Sequence, residues 1–242
     1  LGVRVDQVLM RQAQELSNQY NTRLMDEAKD LTGLDNPKSA PQLKRWLSER
    51  EGIEVPSLNK EAMPGLLSQV QSQETRRMLT IRSELSKTSV SKYEAMERGL
   101  CQDGRGHNLL QFYGANRTGR WAGRLVQVQN LPQNKLKDLA LARELVREGE
   151  FELLEMAFGS PPFVLSQLIR TTFIPSDGCR FIIADYSAIE ARVIAWLANE
   201  PWVLEEFRGD GLIYEATAAM MFHKAKNDIR KGGPLAELRP KG

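Results

Sequence analysis

Two carboxylates, Asp185 and Glu190, stand five residues apart in RFIIADYSAIEARVIAWLANEPWVLEEF, residues 180–207. The apolar run 181–184 has the length and bulk of a buried strand, and Asp185 falls where that strand should stop. Ile189, Arg192, Val193, Trp196 and Leu197 then recur at helical spacing, so a helix is expected from about Ser187, with Ser187 as its cap. A carboxylate at a strand tip and another in the next helix's first turn can hold a divalent cation and a substrate together. The alternative is a buried strand-to-helix junction in which Asp185 only caps the helix.

A second set of groups suits a nucleic-acid partner. No Asp or Glu occurs between Asp103 and Asp138, an interval that holds Arg105, Arg117, Arg120, Arg124, Lys135 and Lys137. Such a segment fits a phosphate backbone, or is simply a solvated basic loop. Within it lies FYGANRTGRWAGRLVQVQNLPQN, residues 112–134. Its glycines allow close backbone approach, and its arginines can reach phosphates or base edges. Gln127, Gln129, Asn130 and Gln133 add amides that donate and accept. The minor groove offers acceptors at every base pair, so such donors can monitor duplex geometry without reading sequence. KTSVSKY, residues 87–93, adds Lys87, Thr88 and Lys92, which can donate to phosphates or form an exposed helix end.

The surrounding elements read as follows. Helical periodicity runs over residues 5–31, with Gly33 as its stop. Ser39 and Pro41 open a short helix through Leu47, and Asn59 caps another containing Leu66 and Leu67. A long helical stretch covers residues 74–98, completing an antiparallel helical arm. Residues 109–113 and 119–128 read as strands or a hairpin, and 136–147 as a charged amphipathic helix. A helix over 160–173, with Pro161 and Pro162 in its first turn, leads to a turn at 175–178. Two more helices are expected at 203–207 and 212–222, and the structure of 224–242 is left open.

At 242 residues and a net charge of +2, the chain can bury one sizeable core or two smaller ones, and bulk charge names no partner. Cys101 and Cys179 are isolated, which fits a reducing, cytoplasmic setting. Neither His107 nor His223 has zinc-ligand spacing around it, and no Walker-type loop or Ser/His/Asp set can be assembled. No apolar run is long enough to span a bilayer, so no membrane partner is expected. The chain starts on Leu and stops after ELRPKG, which reads as a piece of a longer protein.

Two stretches carry a family resemblance. DYSAIEARV, residues 185–193, closely resembles motif A of the family A DNA polymerases, the group of bacterial polymerase I and many phage replicases. TGRWAGRLVQVQNLP, residues 118–132, resembles that family's TGRL…NLQNIP element, while NPKSAPQL (36–43) and KTSVSKY are similar to its thumb sequence. The resemblance implies an α+β fold: a helical thumb-like arm over 1–98, a partial palm over 99–190, and the start of the fingers over 191–242, truncated at motif B.

It also implies roles. Asp185 and the backbone carbonyl of Tyr186 would bind two catalytic Mg²⁺ ions in a nucleotidyl transfer that extends a primer 3′ end with dNTPs. Glu190 matches the sugar gate that excludes a ribose 2′-OH, and Arg239 the first arginine of motif B. Arg120, Gln129 and Asn130 match residues that touch the primer-template minor groove, and Gln127 stands where the family often has Asn. The second metal-binding carboxylate, in motif C, is absent from this sequence, and Leu212 replaces a common Asp. The isolated chain is therefore expected not to polymerise without that C-terminal region. Two competing readings remain: a non-catalytic primer-template-binding subunit, and a single-subunit RNA polymerase relative, against which Glu190 argues.

Overall fold

The computed structural model describes residues 2–86 and 91–241. The chain is α+β: helices dominate, with two small antiparallel sheets. It divides into two compact units, residues 1–180 and 181–242.

The first unit is built on one helix. Strand β1 (Val3–Val5) feeds α1 (Gln7–Thr32), whose start is capped by Asp6: its Oδ1 accepts from the Leu9 N–H at 3.1 Å. At 26 residues, α1 is long enough to serve two cores in turn. Its first half, through Leu9, Met10, Ala13 and Leu16, packs with Tyr93, Met96, Val126, Leu131, Val146 and Leu165. Its second half, through Tyr20, Leu24 and Ala28, packs with Leu43, Leu47, Met78, Leu79 and Ile81. The apolar stripe is therefore continuous although its partners change, each fully buried Leu contributing about 2 kcal/mol.

The second core is closed by α2 (Ala40–Glu51), α3 (Met63–Gln69) and α4 (Gln73–Leu85). As expected, Pro41 lies in the first turn of α2, and Gly52 ends that helix in a left-handed conformation. Asn59 heads the turn before α3, its Oδ1 accepting from the Ala62 N–H at 2.9 Å. The stretch read as one helix over 74–98 holds α4 and α5 (Ser91–Arg98).

After α5 come β2 (Arg105–Gly106), then the hairpin β3 (Leu110–Ala115) and β4 (Arg120–Gly123). Helices α6 (Leu139–Glu148), α7 (Phe151–Phe158) and α8 (Pro161–Leu168) follow, a 3₁₀ turn continues α8 to Thr172, and β5 (Phe173–Ile174) closes the unit. The sheet order is β2-β1-β5, antiparallel throughout, so β1 ties residues some hundred and more positions apart. Beneath it the buried Asp6 carboxylate also receives Arg143 and Arg147 from α6, pinning that helix to the start of α1.

The second unit contains α9 (Ile189–Leu197), α10 (Pro201–Arg208), α11 (Ile213–Phe222), α12 (Lys226–Ile229) and a 3₁₀ segment, Ala236–Lys241. Ala195, Phe207, Ala216, Ala218 and Ile229 are its buried apolar residues. Among the described residues, no helix is long and apolar enough to cross a membrane.

Two sequence expectations are corrected here. Residues 181–184 form no strand, and Ile183 is 91% exposed. An apolar β-prone run needs a neighbouring ladder to pair its backbone, and neither sheet among the described residues takes this one up. Ser187 does not cap α9 either: the cap position is Ala188, in a left-handed conformation at φ 51°, with no side-chain cap bond.

Candidate nucleic-acid and catalytic sites

Glycine chemistry shapes the basic segment. Gly119, at φ 66° in the turn of the hairpin, lies under the Tyr113 ring, whose Cε2 would stand 2.7 Å from any added Cβ. Gly123, the last residue of β4, leaves the space that the Gln129 side-chain amide occupies, and an added Cβ would lie 2.8 Å from Gln127 Cα. The hairpin thus accepts a short 3₁₀ turn, Val128–Asn130, directly against its base.

That turn is anchored at both ends. Val126 and Leu131 are buried in the first core, while Gln127, Gln129, Asn130, Arg117 and Arg120 are exposed. Alternation of buried anchors and exposed amides presents a polar row outward from a fixed backbone. Lys92 Nζ donates to the Val126 carbonyl at 2.8 Å, so this predicted phosphate contact also holds the loop. Lys87 and Thr88 lie outside the described residues. On the far side, Arg170 Nη2 donates to the Leu131 carbonyl at 2.6 Å and its Nε to the Pro132 carbonyl at 2.8 Å. The buried Gln167 accepts from the Lys135 N–H at 2.6 Å through Oε1. The structure therefore brings Arg120, Gln127, Gln129 and Asn130 together as exposed residues of one hairpin-and-turn unit.

Asp185, Tyr186 and Glu190 belong to the second unit. Asp185 and Tyr186 are exposed and lie in no helix or strand, and Glu190 lies in the first turn of α9, its side chain also exposed. Arg192 organises this segment: its Nε donates to the Ser187 carbonyl at 2.9 Å, and its guanidinium sits 4.3 Å from the Phe207 ring centroid. That cation–π contact ties the turn before α9 to α10. Arg239 Nε pairs with the buried Glu215 of α11 at 2.6 Å. Nearby in sequence, Asp210 receives Lys226 Nζ at 2.6 Å and also pairs with Arg230, and chiefly the Lys226 bond pulls its carboxyl down to about 2.

A magnesium centre needs several oxygen ligands converging on one point. Among the described residues, no group of three or more His, Cys, Asp or Glu could hold a metal ion. Asp185 supplies one carboxylate, and the described residues do not by themselves fit a two-metal centre.

Sequence reasoning missed Arg170 and Gln167, because their targets are backbone groups more than thirty residues away with no side-chain signature. It registered Arg192 as a helical-period residue without its role in fixing the Ser187 turn.

The family model for DNA polymerase family A matches residues 6–232. A DNA polymerase of Bacillus phage SP02 is 55% identical over 236 residues, covering 98% of this chain and 36% of the phage protein. DNA polymerase I of Bacillus subtilis is 40% identical over 62 residues, covering 25% of this chain and 7% of that enzyme. The chain thus spans little more than a third of the phage relative and far less of the bacterial one. In fold, it is similar to the POL domain of Pol1 from M. smegmatis, solved in complex with DNA primer-template and dNTP, with a TM-score of 0.56, 20% identity, and coverage of 99% of this chain and 38% of that one. This chain belongs to family A of the DNA polymerases.

Proposed function

We propose that the chain is the primer-template-binding part of a DNA-directed DNA polymerase that extends a primer 3′ end with dNTPs. In this reading residues 1–98 are the thumb, 99–190 a partial palm and 191–242 the start of the fingers. Arg120, Gln127, Gln129 and Asn130 donate to minor-groove acceptors near the growing end, and Arg117, Lys87, Thr88 and Lys92 face phosphates. The observation that carries this is the exposed amide row between the buried anchors Val126 and Leu131, set against the Arg120 strand. Such a row monitors duplex shape at any sequence, which a replicating enzyme requires.

Asp185 and the Tyr186 carbonyl are proposed to contribute to the binding of two Mg²⁺ ions, together with a carboxylate that the described residues do not supply. Glu190 would crowd a ribose 2′-OH and so favour deoxynucleotides. Arg239, held by Glu215, would face the incoming triphosphate.

The test is binding of the purified 242-residue chain to a primer-template duplex over a range of salt. Affinity should fall as salt rises, with a log–log slope of about −0.9 per phosphate contact, and Arg120→Ala should weaken it. Binding indifferent to both salt and Arg120 contradicts the reading. A second reading is a duplex-binding subunit that leaves catalysis to another chain. In both readings the chain alone extends no primer with Mg²⁺ and dNTPs.

A further inference from the structure

The hairpin carries a feature that the minor-groove reading does not use. Phe112 is 71% exposed and Trp121 60%, and their rings meet edge to face with centroids 5.2 Å apart. Tyr113 adjoins them, its centroid 6.3 Å from that of Phe112. Leu110 at the start of β3 and Leu125 shortly after β4 are exposed as well. Bulky rings left in water on a two-stranded hairpin are unfavourable unless something covers them.

The chemistry around the rings selects the occupant. No acidic residue occurs between Asp103 and Asp138, so the whole hairpin is free of negative charge. Arg117 lies in the hairpin turn and Arg124 just after β4; both are exposed, and neither side chain makes a hydrogen bond or ion pair among the described residues. An edge-to-face pair covers only one ring face with the partner's edge, so the pair itself leaves the other faces uncovered. Aromatic faces flanked by unpaired guanidiniums match a polyanion that carries flat rings.

Within a duplex, each base face is already covered by its neighbours. Only unpaired bases can stack on protein rings without first being pulled from the helix. We propose that Phe112 and Trp121 form a stacking platform for an unpaired DNA strand, with Arg117 and Arg124 holding its phosphates. The inference rests on the DNA-binding reading above and deepens it: Arg120 and the 127–130 turn meet the paired part of a primer-template, and the Phe112–Trp121 ring pair the unpaired part.

The experiment measures affinity of the full 242-residue chain for a single-stranded oligonucleotide and for a blunt duplex. Trp121→Ala and Phe112→Ala should each weaken single-strand binding by about tenfold and leave duplex binding unchanged, whereas Trp121→Phe should retain most of it. The aromatic variants should keep the salt slope, while Arg117→Ala and Arg124→Ala should each reduce it by about 0.7. Circular dichroism checks that the variants fold, which exposure of both rings favours. A double Phe112→Ala, Trp121→Ala variant with wild-type single-strand affinity overturns the proposal and leaves the duplex reading intact. Equal weakening on duplex and single strand overturns it too. Failure of the wild-type chain to bind either DNA overturns both.

Discussion

Gln129 packs its side-chain amide into the space left by the missing Cβ of Gly123. This contact holds the polar turn against the hairpin, and it makes position 123 a test of the site's construction. Gly123→Ala should displace the amide and press on the Gln127 backbone, costing about 1–3 kcal/mol of stability. Primer-template affinity should fall with it. Gln129→Ala removes the same contact without pressing on the backbone, so it should cost less stability, about 0.5–1.5 kcal/mol, while weakening DNA binding by about five- to tenfold, as expected for loss of one good groove contact. Urea denaturation and anisotropy titration separate the two effects.

Arg170 is predicted to matter at a distance from any DNA contact. Its two bonds to the Leu131 and Pro132 carbonyls fix the end of the polar turn. Arg170→Met keeps the aliphatic stem and loses both bonds, and should cost about 1–3 kcal/mol. DNA affinity should fall while the salt slope stays unchanged, because no phosphate contact is removed. A reduced slope would instead place Arg170 against the backbone of the nucleic acid.

Asp6 is both the cap of α1 and the shared partner of Arg143 and Arg147. Asp6→Ala removes the cap and leaves two guanidiniums facing a buried gap. The expected loss is about 2–4 kcal/mol, below the full figure for a buried pair because both arginines are partly exposed. Thermal unfolding measures it. A loss within about 0.5 kcal/mol of wild type would mean that the junction contributes little.

Asp210 gives a pH signature in the second unit. The Lys226 hydrogen bond is the leading cause that holds its folded pKa at about 2, below the ordinary value of about 3.9 for an unfolded chain. A depressed carboxylate stabilises fully above the unfolded pKa and loses that contribution as pH falls through the folded one. The window is therefore about pH 4 down to about pH 2. An NMR titration of the Asp210 carboxyl should give its midpoint near the lower end, and Lys226→Met should move that midpoint upward. An unmoved midpoint would leave Lys226 without the assigned role.

Much of the helical frame was legible because its signals are local. Pro41 and Gly52 bracket α2, and the apolar stripe of α1 runs unbroken from Leu9 to Ala28. Helix α7 was not legible: FELLEMAF is short and apolar on most sides, with Leu153 and Met156 exposed, so no period stands out. The run FIIA shows the opposite failure. Its apolarity signals burial but cannot name a partner strand, and none takes it up here. At the site, residue types pointed to Arg120, Gln127, Gln129 and Asn130. The devices that hold them, Gly123 and Arg170, act through absent atoms and distant carbonyls, which leave no motif.

The central claim is tested most directly in a working enzyme. A chimera would place this chain in the matched 36% of the Bacillus phage SP02 polymerase. Primer extension with dNTPs and Mg²⁺ is the measurement. The chimera should extend the primer, Asp185→Ala should abolish extension with primer-template binding retained, and Arg120→Ala should weaken binding. A folded chimera that binds primer-template yet extends nothing, or one that extends undiminished with Asp185→Ala, would contradict that claim.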